Sequence, residues 1–114
     1  MKVHSYFGPG FPEVIYKRAL LIELRKISLD CRSELSTEIM YEDQLVGLRR
    51  LDVLVEENIL LKLKAVVELD KGCYAKIINY LRVFGIEVGL LLNFGTASLQ
   101  FKRFINSSAK SIAD

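Results

Sequence analysis

Two apolar runs in the middle of the chain, at residues 45–55 and 59–67, constrain the fold more than any other feature. They are separated by Glu56-Glu57-Asn58, and within each run Val, Leu and Ile fill positions of both parities. Neither run shows the 3.6-residue period of an amphipathic helix, and both are too short to span a bilayer. Strands that are apolar on both faces belong to sheets covered on both sides. The two runs therefore predict neighbouring strands in a sheet that is flanked by helices.

The remaining pattern predicts an α+β fold with the element order α-β-β-β-α-β-β. One helix is predicted at 13–26, after the turn Gly8-Pro9-Gly10, and another at 73–84, stopped by Gly85. The other strands are predicted at 33–41, 86–92 and 98–104. The strand at 33–41 is polar and is expected at an edge, as the first strand of an antiparallel meander.

Length and composition place this pattern in one globular unit. The chain has 114 residues, which allows a single domain, expected at 1–106 with a flexible tail at 107–114 and an extended arm before Gly8. Sixteen basic against fourteen acidic side chains give a formal net charge of +2, too mild to require a nucleic-acid partner. The hydrophobic share of 51% excludes a disordered chain.

Cysteine usage and the N-terminus set the expected compartment. Cys31 and Cys73 are far apart in sequence and His4 is the single histidine, so no zinc motif is present. No signal-peptide pattern and no apolar run of about 18 residues occurs, which predicts a cytoplasmic protein with no membrane association and with reduced thiols.

Three charged side chains interrupt the apolar strands. Lys62 and Lys64 share one face of the third strand, and Asp52 stands alone among apolar residues of the second. A tight hairpin between the strands would bring Asp52 opposite the lysines. Burying an ammonium group is costly unless it is paired, so this region predicts either a wet cleft or a structural ion pair. Glu13, which shares a helix face with Tyr16, is either a further site carboxylate or a charge that favours the helix dipole.

Several short motifs, in order along almost the whole chain, resemble those of the GxxExxY proteins. Gly10, Glu13 and Tyr16 form G-x-x-E-x-x-Y. The other matching segments are Val3-His4, Gly8-Pro9-Gly10-Phe11, Arg50-Leu51-Asp52-Val53-Leu54-Val55, Leu61-Lys62-Leu63-Lys64-Ala65-Val66, Asn79-Tyr80-Leu81-Arg82 and Gly89-Leu90-Leu91-Leu92-Asn93-Phe94-Gly95. That family is similar to the PD-(D/E)xK nuclease superfamily, whose restriction-endonuclease-like α-β-β-β-α-β core has the element order predicted above.

The resemblance implies a set of site residues. Asp52 matches the motif carboxylate of the second strand and Glu13 the carboxylate of the first helix, and the two together imply a Mg²⁺ site. Lys64 matches the motif lysine that assists the attacking water. Tyr80 matches the tyrosine of Q-x-x-x-Y in the following helix.

Three positions depart from the pattern, and all of them fall at this implied site. Lys62 stands where the motif has glutamate, Lys76 stands where it has the glutamine of Q-x-x-x-Y, and Cys73 stands where a histidine is usual. Lys62 changes the local charge from −1 to +1 beside the expected metal, so a Mg²⁺ cofactor is doubtful. The lysine head group would instead occupy the place of the metal as a tethered cation.

Three functions remain open from the sequence. The departures favour a nuclease-fold protein with a degenerate metal site that binds nucleic acid or a protein without cutting. A Mg²⁺-dependent DNA nuclease that uses Glu13, Asp52 and Lys64 is the alternative. A protein-interaction module or homodimer without a nucleic-acid role is the third.

Overall fold

The computed structural model describes residues 1–106, and the predicted tail at 107–114 lies outside them. Helices and strands follow one another as α1 (Lys2–Phe7), α2 (Glu13–Lys26), β1 (Cys31–Tyr41), β2 (Gln44–Val55), β3 (Ile59–Lys64), α3 (Lys71–Phe84), β4 (Val88–Asn93) and β5 (Gln100–Ile105). The predicted order α-β-β-β-α-β-β is confirmed, with α1 added in front. The expectation of an extended arm before Gly8 is wrong.

A five-stranded mixed sheet in the order β1-β2-β3-β4-β5 forms the centre of the fold. Neighbouring strands are antiparallel except β3 and β4, which are parallel and are joined by α3 as a crossover. The predicted meander and the edge position of β1 are confirmed. Helices α1 and α2 cover one face of the sheet, which we call the α2 side, and α3 covers the other, which we call the α3 side.

Local chemistry explains where α3 begins and ends. The Asp70 side chain accepts a hydrogen bond from Cys73 N at 3.0 Å, which caps the first turn. Gly85 ends the helix in the left-handed conformation at φ 66°. Asn106 then donates to Leu81 O in the last turn of the helix and to Ile86 O just beyond it.

The α1 helix depends on contacts with the rest of the chain. Val3 is buried in the α2-side core, and His4 Nε2 lies 2.9 Å from Thr96 O. A six-residue helix is too short to be stable by itself in water. The sequence pattern alone could not indicate it, since its partner at Thr96 is remote along the chain.

Asn93, at the end of β4, anchors the chain where it leaves β3. Its buried side chain accepts from Val66 N and donates to Val66 O, both at 3.0 Å, and it also bonds Gln100 and Gly95. Gly95 lies directly against this backbone, so that a Cβ there would collide with the backbone N and O of Val66. The strand β3 therefore ends at Lys64, three residues earlier than the predicted position 67.

Gly95→Ala tests this close approach. The added methyl group forces the backbone around Val66 apart, and we expect the free energy of unfolding to fall by about 2–4 kcal/mol. Gly47→Ala is the matched control, because a Cβ at Gly47 meets no atom within 4 Å, and it should change stability by about 0.5 kcal/mol or less. Equal effects of the two substitutions in urea denaturation would contradict the role of Gly95.

Candidate functional site

A cleft of about 170 Å³ opens between the α3 side of the sheet and the helix α3. It is lined by Arg50, Leu51 and Asp52 of β2, by Leu60, Lys62 and Lys64 of β3, and by Asp70, Gly72, Cys73, Lys76, Ile77 and Tyr80 of α3 and its N-terminal cap. Six of the seven residues singled out in the sequence lie together here. The seventh, Glu13, lies at the adjoining hollow described below.

β1 and β2 lose their regular pairing beside Asp52, which lines the cleft. The register pairs Ser33 with Val53 and Leu35 with Leu51 but does not pair Glu34 with Asp52, and Glu34 has a positive φ of 56°. Val53 packs on the α2 side whereas Leu51, two residues earlier, packs on the α3 side. A regular strand would place both on one face. We call this irregularity the β2 bend.

The Asp52 carboxylate also replaces part of the sheet ladder. Pairing of β2 with β3 stops at Val53 and Leu61. Beyond that point Asp52 Oδ2 accepts a hydrogen bond from Leu63 N at 3.1 Å, so this backbone group stays satisfied. The carboxylate is therefore held in place by β3 itself.

Lys62 forms an ion pair with the same carboxylate oxygen. Its Nζ lies 3.3 Å from Asp52 Oδ2, with the two side chains 24% and 20% exposed. Attraction between opposite charges is stronger in such a partly buried place than at an open surface. The ammonium group thus lies against the carboxylate oxygen that a divalent cation would use.

Lys64 and Lys76 line the cleft together with Tyr80. Lys76 Nζ lies 6.0 Å from the centre of the Tyr80 ring. Neither lysine has a carboxylate within salt-bridge distance in the described chain. Their positive charges are therefore available to a bound anion.

Glu13 lies apart, at the exposed start of α2. It borders a second hollow with Lys17 and Glu34, and this hollow shares Asp52 and Lys62 with the cleft. The structure thus brings Glu13 to a hollow that adjoins the cleft, but not into the lining of the cleft itself.

A second group of charges at the β2 bend was missed in the sequence. Glu34 bonds Lys17 and also pairs with Arg50 at 3.2 Å. The hydrogen bond from Lys17 is the main cause that lowers the pKa of Glu34, with Arg50 adding to it. Stability from this carboxylate is therefore present above its unfolded pKa and is lost as the pH falls through the lower folded pKa. The sequence could have indicated Arg50, because residues two positions apart in a strand share a face and Arg50 lies two positions before Asp52.

Tyr16 of the G-x-x-E-x-x-Y motif is part of the core and does not reach the cleft. Its hydroxyl donates to Gly8 O at 2.5 Å and accepts from Phe11 N at 3.1 Å. Its ring stacks on Phe94 with the centroids 4.6 Å apart. The tyrosine thereby fixes the loop that precedes α2 and, with it, the position of Glu13.

The described residues do not fit a divalent cation of the expected kind. Mg²⁺ requires several oxygen ligands. Lys62 supplies an ammonium group at the position on the third strand where the motif has a carboxylate. No three His, Cys, Asp or Glu side chains gather into a metal-binding group within residues 1–106. No catalytic step through a metal follows from this arrangement.

Comparison with known proteins identifies the class to which this fold and cleft belong. The family model of the PD-(D/E)XK nuclease superfamily matches residues 1–104, and the chain therefore belongs to that superfamily. Members of this superfamily usually use Mg²⁺.

Comparison with solved structures supports the fold. The crystal structure of SSO0001 matches with a TM-score of 0.57 and 17% sequence identity. The match covers 90% of this chain and 58% of that chain, so this chain spans less than two thirds of its relative. At this identity the likeness shows a shared fold alone. No curated protein matches with statistical significance.

None of the helices in the described part is long and apolar enough to cross a membrane.

Substitutions at Asp52 test the two contacts of its carboxylate. Asp52→Ala removes the ion pair and leaves Leu63 N without its acceptor, so we expect the free energy of unfolding to fall by about 2–3 kcal/mol. Asp52→Asn keeps an oxygen acceptor and should cost only about 1 kcal/mol. In a Lys62→Met background the cost of Asp52→Asn should largely disappear, as a double-mutant cycle in urea will measure.

Asp30→Asn serves as the control, since Asp30 is an exposed carboxylate outside the cleft, and it should stay within about 0.5 kcal/mol. Equal losses for Asp52→Ala and Asp52→Asn, unchanged by Lys62→Met, would show that the carboxylate makes neither contact.

Proposed function

We propose that this chain is a GxxExxY-type member of its superfamily whose metal site is degenerate, and that its cleft binds a phosphate group of nucleic acid without hydrolysing it. The observation that carries the proposal is the Lys62 ammonium group 3.3 Å from Asp52 Oδ2. Lys62 stands where the motif has a glutamate, and its ammonium group pairs with the other motif carboxylate, Asp52. A fixed positive charge thus takes the place of a metal ligand.

Loss of hydrolysis follows from the charges around Asp52. Cleavage of a phosphodiester with Mg²⁺ needs a bound cation that polarises the phosphoryl oxygen and activates water. Lys62 repels such a cation and neutralises the carboxylate that would bind it. A lysine ammonium group supplies positive charge but has no open coordination position for water.

Phosphate binding is supported by the charges that remain. Arg50 is paired with Glu34 and Lys62 with Asp52, which leaves Lys64 and Lys76 facing the cleft without carboxylate partners among residues 1–106. The hydroxyl of Tyr80 is the kind of donor that contacts phosphate oxygens. The site has no recognition helix and no row of aromatic side chains, so we expect binding that does not depend on base sequence.

The active nuclease remains the second candidate because of Glu13. Its place at a hollow shared with Asp52 is the one geometric feature that favours a surviving metal site there. In that case Glu13 and Asp52 would hold the metal and Lys64 would assist the water. The experiment below separates the two candidates.

We expect the natural chain to bind short single-stranded and double-stranded oligonucleotides in a salt-dependent manner but not to cut them in Mg²⁺. Lys64→Ala and Lys76→Ala should each weaken binding several-fold and lower the slope of log K against log salt by up to about 1, because each removes one phosphate contact. Fluorescence anisotropy across a salt series measures binding, and gel electrophoresis of the same samples measures cleavage.

Lys26→Ala is the matched control, since it removes the same charge at the far end of α2 and borders a different groove. Equal weakening by Lys26→Ala and Lys64→Ala would refute binding in the cleft. Robust cleavage in Mg²⁺ that is abolished by Asp52→Ala and unaffected by Lys62→Ala would establish the active nuclease instead.

A further inference from the structure

The outer half of the β1–β2 hairpin extends beyond the rest of the sheet. β2 pairs with β3 only from Val53 to Val55, so residues 36–50 form a two-stranded ribbon that pairs only with itself. We call residues 36–50 the arm. An isolated two-stranded ribbon is marginally stable in water, so the arm is expected to gain stability by packing against another surface.

Large apolar side chains are exposed along the arm. They are between 51% and 67% exposed and comprise Met40, Tyr41, Leu45, Val46 and Leu48. The register pairs Met40 with Leu45 and Glu38 with Leu48, and its shift between Ile39 and Met40 brings Leu45 and Leu48 to one face. That face also carries Met40 and, at its inner end, Glu38. The sequence pattern predicted that both faces of this strand would be buried, and within residues 1–106 that prediction is wrong for 45–48, where Leu45, Val46 and Leu48 are exposed. A clustered apolar surface of this kind is typical of an interaction site.

Charge on the arm is separated between its two ends. The turn at the tip carries Glu42 and Asp43, whereas the base carries Arg49 and Arg50. Arg50 pairs with Glu34, but Arg49 has no carboxylate within salt-bridge distance in the described chain. With Glu38 included, the arm carries three acidic and two basic side chains. This balance does not favour a nucleic-acid backbone, which attracts uniformly basic surfaces.

We propose that the arm binds the arm of a second copy of this chain. Two arms related by a two-fold axis and running antiparallel place the acidic tip of each beside the basic base of the other. The same antiparallel arrangement would bring the Met40, Leu45 and Leu48 side chains of both copies together at the centre of the interface. The distance from tip to base is equal in both copies, so both charge contacts form at once, as a two-fold interface requires.

Dimer formation through the arm is tested by sedimentation velocity over a range of concentrations. We expect the natural chain to be a dimer whose dissociation constant rises at least tenfold in Leu45→Glu/Leu48→Glu, with the far-UV circular dichroism retained. Phe101→Glu, at an exposed apolar position on β5, is the matched control and should leave the dimer unchanged. A natural chain that stays monomeric at about 100 µM, a concentration at which only very weak association escapes detection, would overturn the proposal.

Charge exchange tests the antiparallel arrangement without disturbing the apolar face. Glu42→Arg/Asp43→Arg and Arg49→Glu should each weaken the dimer, because each places like charges in contact. Combining the three substitutions in one chain should restore it. Failure of the combined variant to dimerise better than either parent would overturn the tip-to-base arrangement. Nucleic-acid binding does not enter this test, so it is independent of the function proposed for the cleft.

Discussion

The β2 bend, where β1 and β2 lose their regular pairing at Glu34 and Asp52, is the constraint on which the rest of the structure depends. It transfers Leu51 to the α3 side while Val53 remains on the α2 side, so both cores receive side chains from one strand. At the same place Asp52 bonds the backbone of β3 and lines the cleft. Beyond the bend the hairpin leaves the sheet and becomes the arm. One backbone irregularity therefore lies between the proposed phosphate site and the proposed dimer surface.

The contact of Lys62 with Asp52 shows how the fold would persist after the change of chemistry that we propose. In a metal-binding member, two neighbouring carboxylates repel each other until a cation arrives. Here the cation is the Lys62 ammonium group, which belongs to the chain itself and lies 3.3 Å from Asp52 Oδ2. The strand pair is thus stabilised at the place where catalysis would need an open coordination position. Under the proposed function, stability and hydrolysis compete for the same carboxylate, and the ion pair favours stability.

The sequence predicted those features that depend on local pattern. The shared face of Lys62 and Lys64, their closeness to Asp52, and the stop of the second helix at Gly85 all follow from strand alternation and turn chemistry. The missed features depend on contacts that are remote along the chain. The short α1 helix is one of these, and the exposure of residues 36–50 is another, because apolar alternation does not reveal where the neighbouring strand ends. Apolar side chains on both faces of a strand predict burial, whereas here they belong to a projecting hairpin.

The most direct measurement of the central claim is the anomalous signal of Mn²⁺ in crystals of the natural chain and of Lys62→Glu. The account predicts no peak between Glu13 and Asp52 in the natural chain, where Lys62 Nζ keeps its contact with the carboxylate. In Lys62→Glu the repelling charge is removed and an oxygen ligand is supplied, so a peak beside Asp52 is expected there. An ordered Mn²⁺ peak between Glu13 and Asp52 in the natural chain would contradict the account.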